Sequence, residues 1–265
     1  MREPGISENH SREEVVRTYY RALFDAWGPQ NWWPARSRFE VIVGAFLTQN
    51  TSWNNVEKAL ASLRAAHALS IRGIRNLPLV ELEQLIRSSG YFRQKAQRLK
   101  RFVTFLDRRY AGSLARMFAS PTSRLREELL ALNGVGPETA DSILLYAGNH
   151  PVFVVDTYTR RILARHGILP DSASYEEIRS LCEHGLAPLA EFENRSQEPV
   201  PRQLAKGLSG ASHPPSKMSA AKRTAITQIY NEMHGLIVGV GKSHCKKSQG
   251  LCDGCPLQTH LPDLK

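Results

Sequence analysis

Apolar residues recur at helical spacing along most of this chain, and no stretch alternates apolar and polar residues for long enough to build a sheet. In "SREEVVRTYYRALFDAW" (11–27), Val15, Tyr19, Leu23 and Trp27 fall four apart. Ser11 stands where an N-cap belongs, and glutamates fill the first turn, where the helix dipole favours them. "SRFEVIVGAFLTQ" (37–49) is apolar almost all round, the pattern of a helix buried on every side. Val56, Leu60 and Leu63 share one face of 54–66, the segment 78–90 stops on a glycine, and 93–110 is basic and amphipathic. Two further helices, 123–132 and 138–148, flank "NGVG"; "PVFVVD" (151–156) is a short β-like run, and helix resumes over 157–167. The expectation is an all-α fold. The polar residues ahead of 11 read as a frayed tail, and 193–221, rich in Pro, Ser, Gly and charge, reads as a surface insertion before a last helix.

A chain of 265 residues can bury a substantial core as one large domain or two small ones. Its longest apolar runs, such as "VIVGAFL" (41–47), are too short to cross a bilayer, and the N-terminal stretch lacks the apolar segment of a secretory signal. A cytoplasmic protein without membrane partners is expected. The net charge of +10 favours polyanions. Of four cysteines, Cys182 stands alone and Cys245, Cys252 and Cys255 cluster, a pattern that suits metal better than disulfides in such a compartment.

The segment "ALNGVGPETADSILLYAG" (131–148) is the most pointed one. Gly134 and Gly136 permit a tight turn whose outward N–H groups, with those of Asn133 and Val135, lie near the start of the next helix. A phosphate fits such a place through amides and helix dipole, independent of base sequence. A plain helix–helix turn with a glycine cap is the alternative. Twenty residues after Gly136, Asp156 closes the apolar run and opens a helix. That is an ordinary N-cap position, and it is also where a desolvated carboxylate could stabilise an oxocarbenium-like sugar and orient a water.

These features together resemble a known family. "LNGVGPETADSILLYAGNHPVFVVDTYTRRI" resembles the helix-hairpin-helix and aspartate signature of the endonuclease III superfamily of DNA glycosylases. "FEVIVGAFLTQNTSWNNVEKAL" (39–60) resembles its early helix-loop-helix, and "SGYFRQKAQRLK" (89–100) its segment with glycine, a hydrophobic residue and Lys-Ala. The resemblance implies two lobes with the active site between them: a central lobe over 37–150, and a second formed by 1–36 and 151–265. It implies base excision repair of double-stranded DNA by a monomeric, nucleoid-associated enzyme. Gln49 and Asn50 would probe the duplex, Asp156 would be catalytic, and no nucleotide cofactor is implied.

Bifunctional relatives carry a Schiff-base lysine two residues after the second hairpin glycine, and Glu138 occupies that position here. A carboxylate forms no imine, so the resemblance implies hydrolysis by water. Glu138 either positions that water or is a first-turn residue suited to the dipole. "WWP" ahead of the buried helix is either core or a stacking surface for a flipped base, to which a cationic alkylated purine adds cation–π attraction. With the hairpin it is similar to the 3-methyladenine DNA glycosylase III branch, which implies Trp32, Trp33, Pro34 and Phe46 around an alkylated adenine. Lys242 is either a supporting group or a solvated lysine. An endonuclease III-like AP lyase or oxidised-pyrimidine glycosylase, and a non-catalytic helix-hairpin-helix DNA-binding protein, are the rival readings.

Cys245, Cys252 and Cys255 follow the spacing of the superfamily's iron–sulfur loop, but Leu261 stands where its fourth cysteine belongs. The readings left open are a degenerate metal-free loop, a 4Fe-4S cluster completed by His260 or a non-protein ligand, and a Cys3His zinc site.

Overall fold

The computed structural model describes residues 6–195 and 213–261. The helices run α1 (Ile6–Trp27), α2 (Arg38–Thr48), α3 (Trp53–Ala65), α4 (Ile71–Asn76), α5 (Leu79–Leu85), α6 (Phe92–Tyr110), α7 (Leu114–Phe118), α8 (Thr122–Leu130), α9 (Pro137–Ser142), α10 (Thr157–Arg165), α11 (Tyr175–Arg195) and α12 (Ala225–Ser243). No strand forms among the described residues; one isolated bridge pairs Cys245 with Gly250. The all-α expectation holds. No helix among the described residues is long and apolar enough to cross a membrane. Most of the 193–221 insertion lies outside the described residues.

The chain divides into two compact units, residues 35–150 and residues 1–34 with 151–265. In the first, α2 buries every residue from Phe39 to Leu47. Ser37 caps it by accepting from the Glu40 N–H at 3.2 Å, and the buried Glu40 carboxylate takes Arg64 of α3 at 2.5 Å. Lys95 of α6, 1% exposed, closes the other end by donating to the Leu47 carbonyl at 2.9 Å and the Ser89 carbonyl at 2.6 Å. Burial, reinforced by nearby Arg98, lowers its pKa to about 8. The Lys-Ala motif thus supplies a carbonyl cap for α2, whose last C=O groups have no helical partner.

In the second unit α1 packs on α11 and α12. Helix α1 begins at Ile6, so residues 6–10, expected to fray, are helical, and Ser11 is internal rather than a cap. No glycine or proline interrupts 6–27, and nothing in the sequence stops the helix propagating back to Gly5. The β-like run 151–156 forms no strand. Its residues Val152 to Val155 are buried, and side chains replace the ladder: Phe153 N donates to Glu183 at 2.9 Å and Val155 N to the Tyr175 hydroxyl at 3.3 Å.

Candidate active site and nucleic-acid interface

In the unit of residues 35–150, α8 and α9 make the hairpin. A buried ion pair locks them: Arg126 Nε and Nη2 donate to the two carboxylate oxygens of Asp141 at 2.7 and 3.1 Å, and Asp141 has no exposed surface. The two glycines are there for different reasons. Gly134 has φ +84°, and a Cβ on it would lie 2.1 Å from Arg98 Nε, so the fold itself demands it. Gly136 caps α9 at φ −93°, is exposed, and a Cβ there would meet nothing within 4 Å. No contact among the described residues requires a glycine at 136.

Gln49 follows α2 and is tied into this hairpin. Its Nε2 donates to the Gly134 carbonyl at 3.0 Å and to the Thr139 hydroxyl at 2.9 Å, while its Oε1 accepts from Arg98. Arg101 donates to the Asn133 side chain at 2.5 Å. Gln49 therefore braces the turn in this state, and the exposed Asn50, at φ +53°, is the loop residue that projects. Arg98 and Arg101, three apart on α6, bring two guanidinium groups to the hairpin. Val135 is buried, and Glu138 lies exposed in the first turn of α9. Phe46, expected beside the base, is a core residue: it is 1% exposed with its ring 5.7 Å from Phe102, because α2 is apolar on every side.

In the other unit Asp156 caps α10. Its Oδ1 accepts from the Thr159 N–H at 2.8 Å and the Thr159 hydroxyl at 2.9 Å. Its Oδ2 has no part in the cap and lies 3.6 Å from His234 Nε2. The cap and the candidate catalytic group are the same residue, with its oxygens divided between the two duties.

Trp32 and Trp33 are both 6% exposed, edge to face at 5.6 Å, with Pro34 half-buried beside them. Helix α12 holds this segment. Gln30, fully buried, donates its N–H to Glu232 at 2.7 Å, and at Gly235 a Cβ would approach Trp32 Cβ to 3.2 Å. Around the Trp32 ring stand His234 (6.1 Å), His213 (5.5 Å) and Lys242, whose Nζ is 5.9 Å from the centroid. The structure thus brings Trp32, Trp33, Lys242 and Asp156 together, through His234. Spacing gave no sign of His234, Gln30 or Glu232, since a lone His in an apolar helix has no pattern to betray it.

The cysteine loop does not assemble as a ligand set. Cys245 is buried with Arg165 Nη1 3.3 Å from its sulfur, Cys252 is exposed, and the half-buried Cys255 thiol is pushed up by burial and by the other two cysteines. His260 packs its ring on Tyr19 at 5.8 Å. Among the described residues no group of three or more His, Cys, Asp or Glu side chains is arranged to hold a metal ion. A four-thiolate cluster does not fit these residues.

Comparison with known proteins bears on this arrangement. A family profile described as HhH-GPD superfamily base excision DNA repair protein matches residues 43–188, more than half the chain. A protein of Methanocaldococcus jannaschii that bears the name of a DNA repair glycosylase is 40% identical over 247 residues, 92% of this chain and 94% of that protein. Endonuclease III of Thermotoga maritima is 27% identical over 222 residues, 84% of this chain and 81% of that protein. The crystal structure of Helicobacter pylori 3-methyladenine DNA glycosylase bound to 1,N6-ethenoadenine superposes with a TM-score of 0.67 at 26% identity, covering 87% of this chain and 97% of that one. A trapped endonuclease III–DNA covalent intermediate superposes with a TM-score of 0.63 at 24% identity over 94% of each chain, a likeness of fold. With a family profile over most of its central region and a relative matched along nearly its whole length, this chain belongs to the HhH-GPD superfamily of base excision DNA repair proteins and is a DNA glycosylase.

Proposed function

We propose that this glycosylase hydrolyses the N-glycosidic bond of an alkylated purine, 3-methyladenine above all, in double-stranded DNA, and that it acts as a monomer without a lyase step. The observation that carries the reading is the grouping within one unit of a carboxylate oxygen left out of its helix cap, Asp156 Oδ2, and the Trp32–Trp33 pair. A flipped base stacks on such indole faces, and a cationic purine gains further from them. The C1′–N bond breaks with its electron pair leaving on the base. Asp156 stabilises the positive charge that develops on the sugar. A water oxygen then bonds to C1′, and its proton passes to the carboxylate and on to solvent. An N3-alkylated adenine departs as a neutral base, so no acid is needed at the leaving group. Flipping costs a few kcal/mol, less for a weakly paired damaged base, which adds selectivity.

Glu138 supports the hydrolytic mode, because a carboxylate there forms no Schiff base. The hairpin amides, with Arg98 and Arg101 beside them, hold the DNA backbone. The Helicobacter pylori relative, by its name and its bound ethenoadenine, supports an alkylated or otherwise enlarged adenine as substrate. The test is chromatography of bases released from methylated duplex DNA. Wild type is expected to release 3-methyladenine, and Asp156→Asn to be slower by about a hundredfold or more. No release, or a covalent adduct trapped by borohydride on abasic DNA, overturns the reading. An adduct lost in Lys242→Gln would assign a lyase step to the amine near Trp32.

A further inference from the structure

In the unit that holds Asp156, the buried His234 has no part in bond cleavage itself. His234 lies in the middle of α12, just ahead of the apolar run 235–241, and its side chain is 6% exposed. Its Nε2 is 3.6 Å from Asp156 Oδ2, and its ring packs at 56° to Trp32 with centroids 6.1 Å apart. It therefore touches both the carboxylate and the aromatic surface on which a base would stack. Asp156 Oδ1 is fixed by two hydrogen bonds from Thr159, but a cap made through one oxygen leaves the carboxylate plane free to rotate about it. The separation at Oδ2 is somewhat longer than a hydrogen bond, as catalytic contacts often are before substrate binds.

We propose that His234 is a positioning residue for Asp156: as a neutral ring carrying its proton on Nε2, it directs an N–H at Oδ2, sets the plane of the carboxylate, and ties that plane to Trp32. The inference rests on the hydrolytic reading above. Neutrality matters, because an imidazolium would cancel the charge that the sugar cation needs. Burial pushes the His234 pKa down, and Asp156 pulls it back up. The other charged or titratable groups nearby are Tyr158 of α10, which senses the same carboxylate, and His213 and Lys242, which share the Trp32 ring.

The test compares full-length wild type with His234→Phe, which keeps a ring against Trp32 but removes its nitrogens, and His234→Gln, whose amide can place an N–H near the same point. Single-turnover base release is expected to fall by about tenfold to a hundredfold in His234→Phe, with binding to an uncleavable abasic-analogue duplex unchanged, and to recover most of the way in His234→Gln. Equal rates in His234→Phe and wild type, or a rate loss matched by an equal loss of binding, overturn the proposal. A second measurement needs no DNA and no variant at 234. In histidine-labelled protein, Asp156→Asn, which keeps the helix cap, is expected to lower the His234 titration midpoint by about half a pH unit or more, and an unchanged midpoint overturns the proposal. If wild type releases no base while the midpoint still moves, the failure lies with the substrate assignment and not with the His234–Asp156 coupling.

Discussion

Replacing each hairpin glycine by alanine separates what the fold needs from what DNA needs. At Gly136 the backbone, φ −93° and ψ 175°, suits any residue, and a new Cβ would touch nothing within 4 Å. Gly136→Ala should therefore stabilise the protein by about 0.4–1 kcal/mol, chiefly by restricting the unfolded chain. The same methyl group stands among amides that are to hold a phosphate. Loss of one charge-assisted hydrogen bond costs about 1.5–3 kcal/mol, so duplex affinity should fall by about tenfold to a hundredfold. Gly134→Ala should behave in the opposite sense for stability. Its φ of +84° costs an L-residue about 1–2 kcal/mol, and displacing Arg98 from the Cβ position adds to that. Thermal melting and fluorescence anisotropy with a duplex, at one fixed salt concentration, read both quantities. If Gly136→Ala binds the duplex within about twofold of wild type, the hairpin does not grip a phosphate at that point and the reasoning fails.

Other outcomes follow from the same geometry. Arg126→Met strips the buried Asp141 of its guanidinium and should cost about 3–5 kcal/mol in denaturant unfolding, whereas Arg126→Met with Asp141→Leu should recover most of it. The folded pKa of Lys95 is about 8, against 10.5 for a free lysine, so between those values the unfolded chain holds a proton that the folded chain has released. Stability therefore rises with pH across that window by up to about 3 kcal/mol, a slope that Lys95→Met should lack when the two melting curves are compared from pH 8 to 10.5. Metal analysis of the purified protein should find substoichiometric iron and zinc, and a chelator should leave base release and melting unchanged.

Helical periodicity made the fold legible, because each helix buries one stripe and the stripe is written in the sequence. It failed where the backbone is satisfied by side chains: the run 151–156 has strand composition, yet Glu183 and Tyr175 take the places of a ladder. The locations of the hairpin and of Asp156 were legible because glycine spacing and a helix-opening aspartate are local signals. The partner of that aspartate was not, since His234 lies 78 residues further on, in another helix. Gln49 illustrates the same limit. The resemblance implied a probing residue, and only the folded chain reveals that hairpin groups accept from its Nε2 while Arg98 of α6 donates to its Oε1. The cysteines kept the spacing of a ligand loop, but among the described residues they and His260 form no group of three or more arranged to hold a metal ion.

The division of labour at Asp156 makes its chemistry separable from its structural duty. A serine at 156 retains a short oxygen acceptor for the Thr159 N–H, and serine caps helices as well as aspartate does. It carries no negative charge toward the reacting sugar. A glutamate keeps the charge but pushes it a methylene beyond the cap. Asp156→Ser is accordingly expected to keep α10 intact while abolishing the proposed bond cleavage, which would turn the protein into a reagent for pulling damaged duplexes out of a mixture.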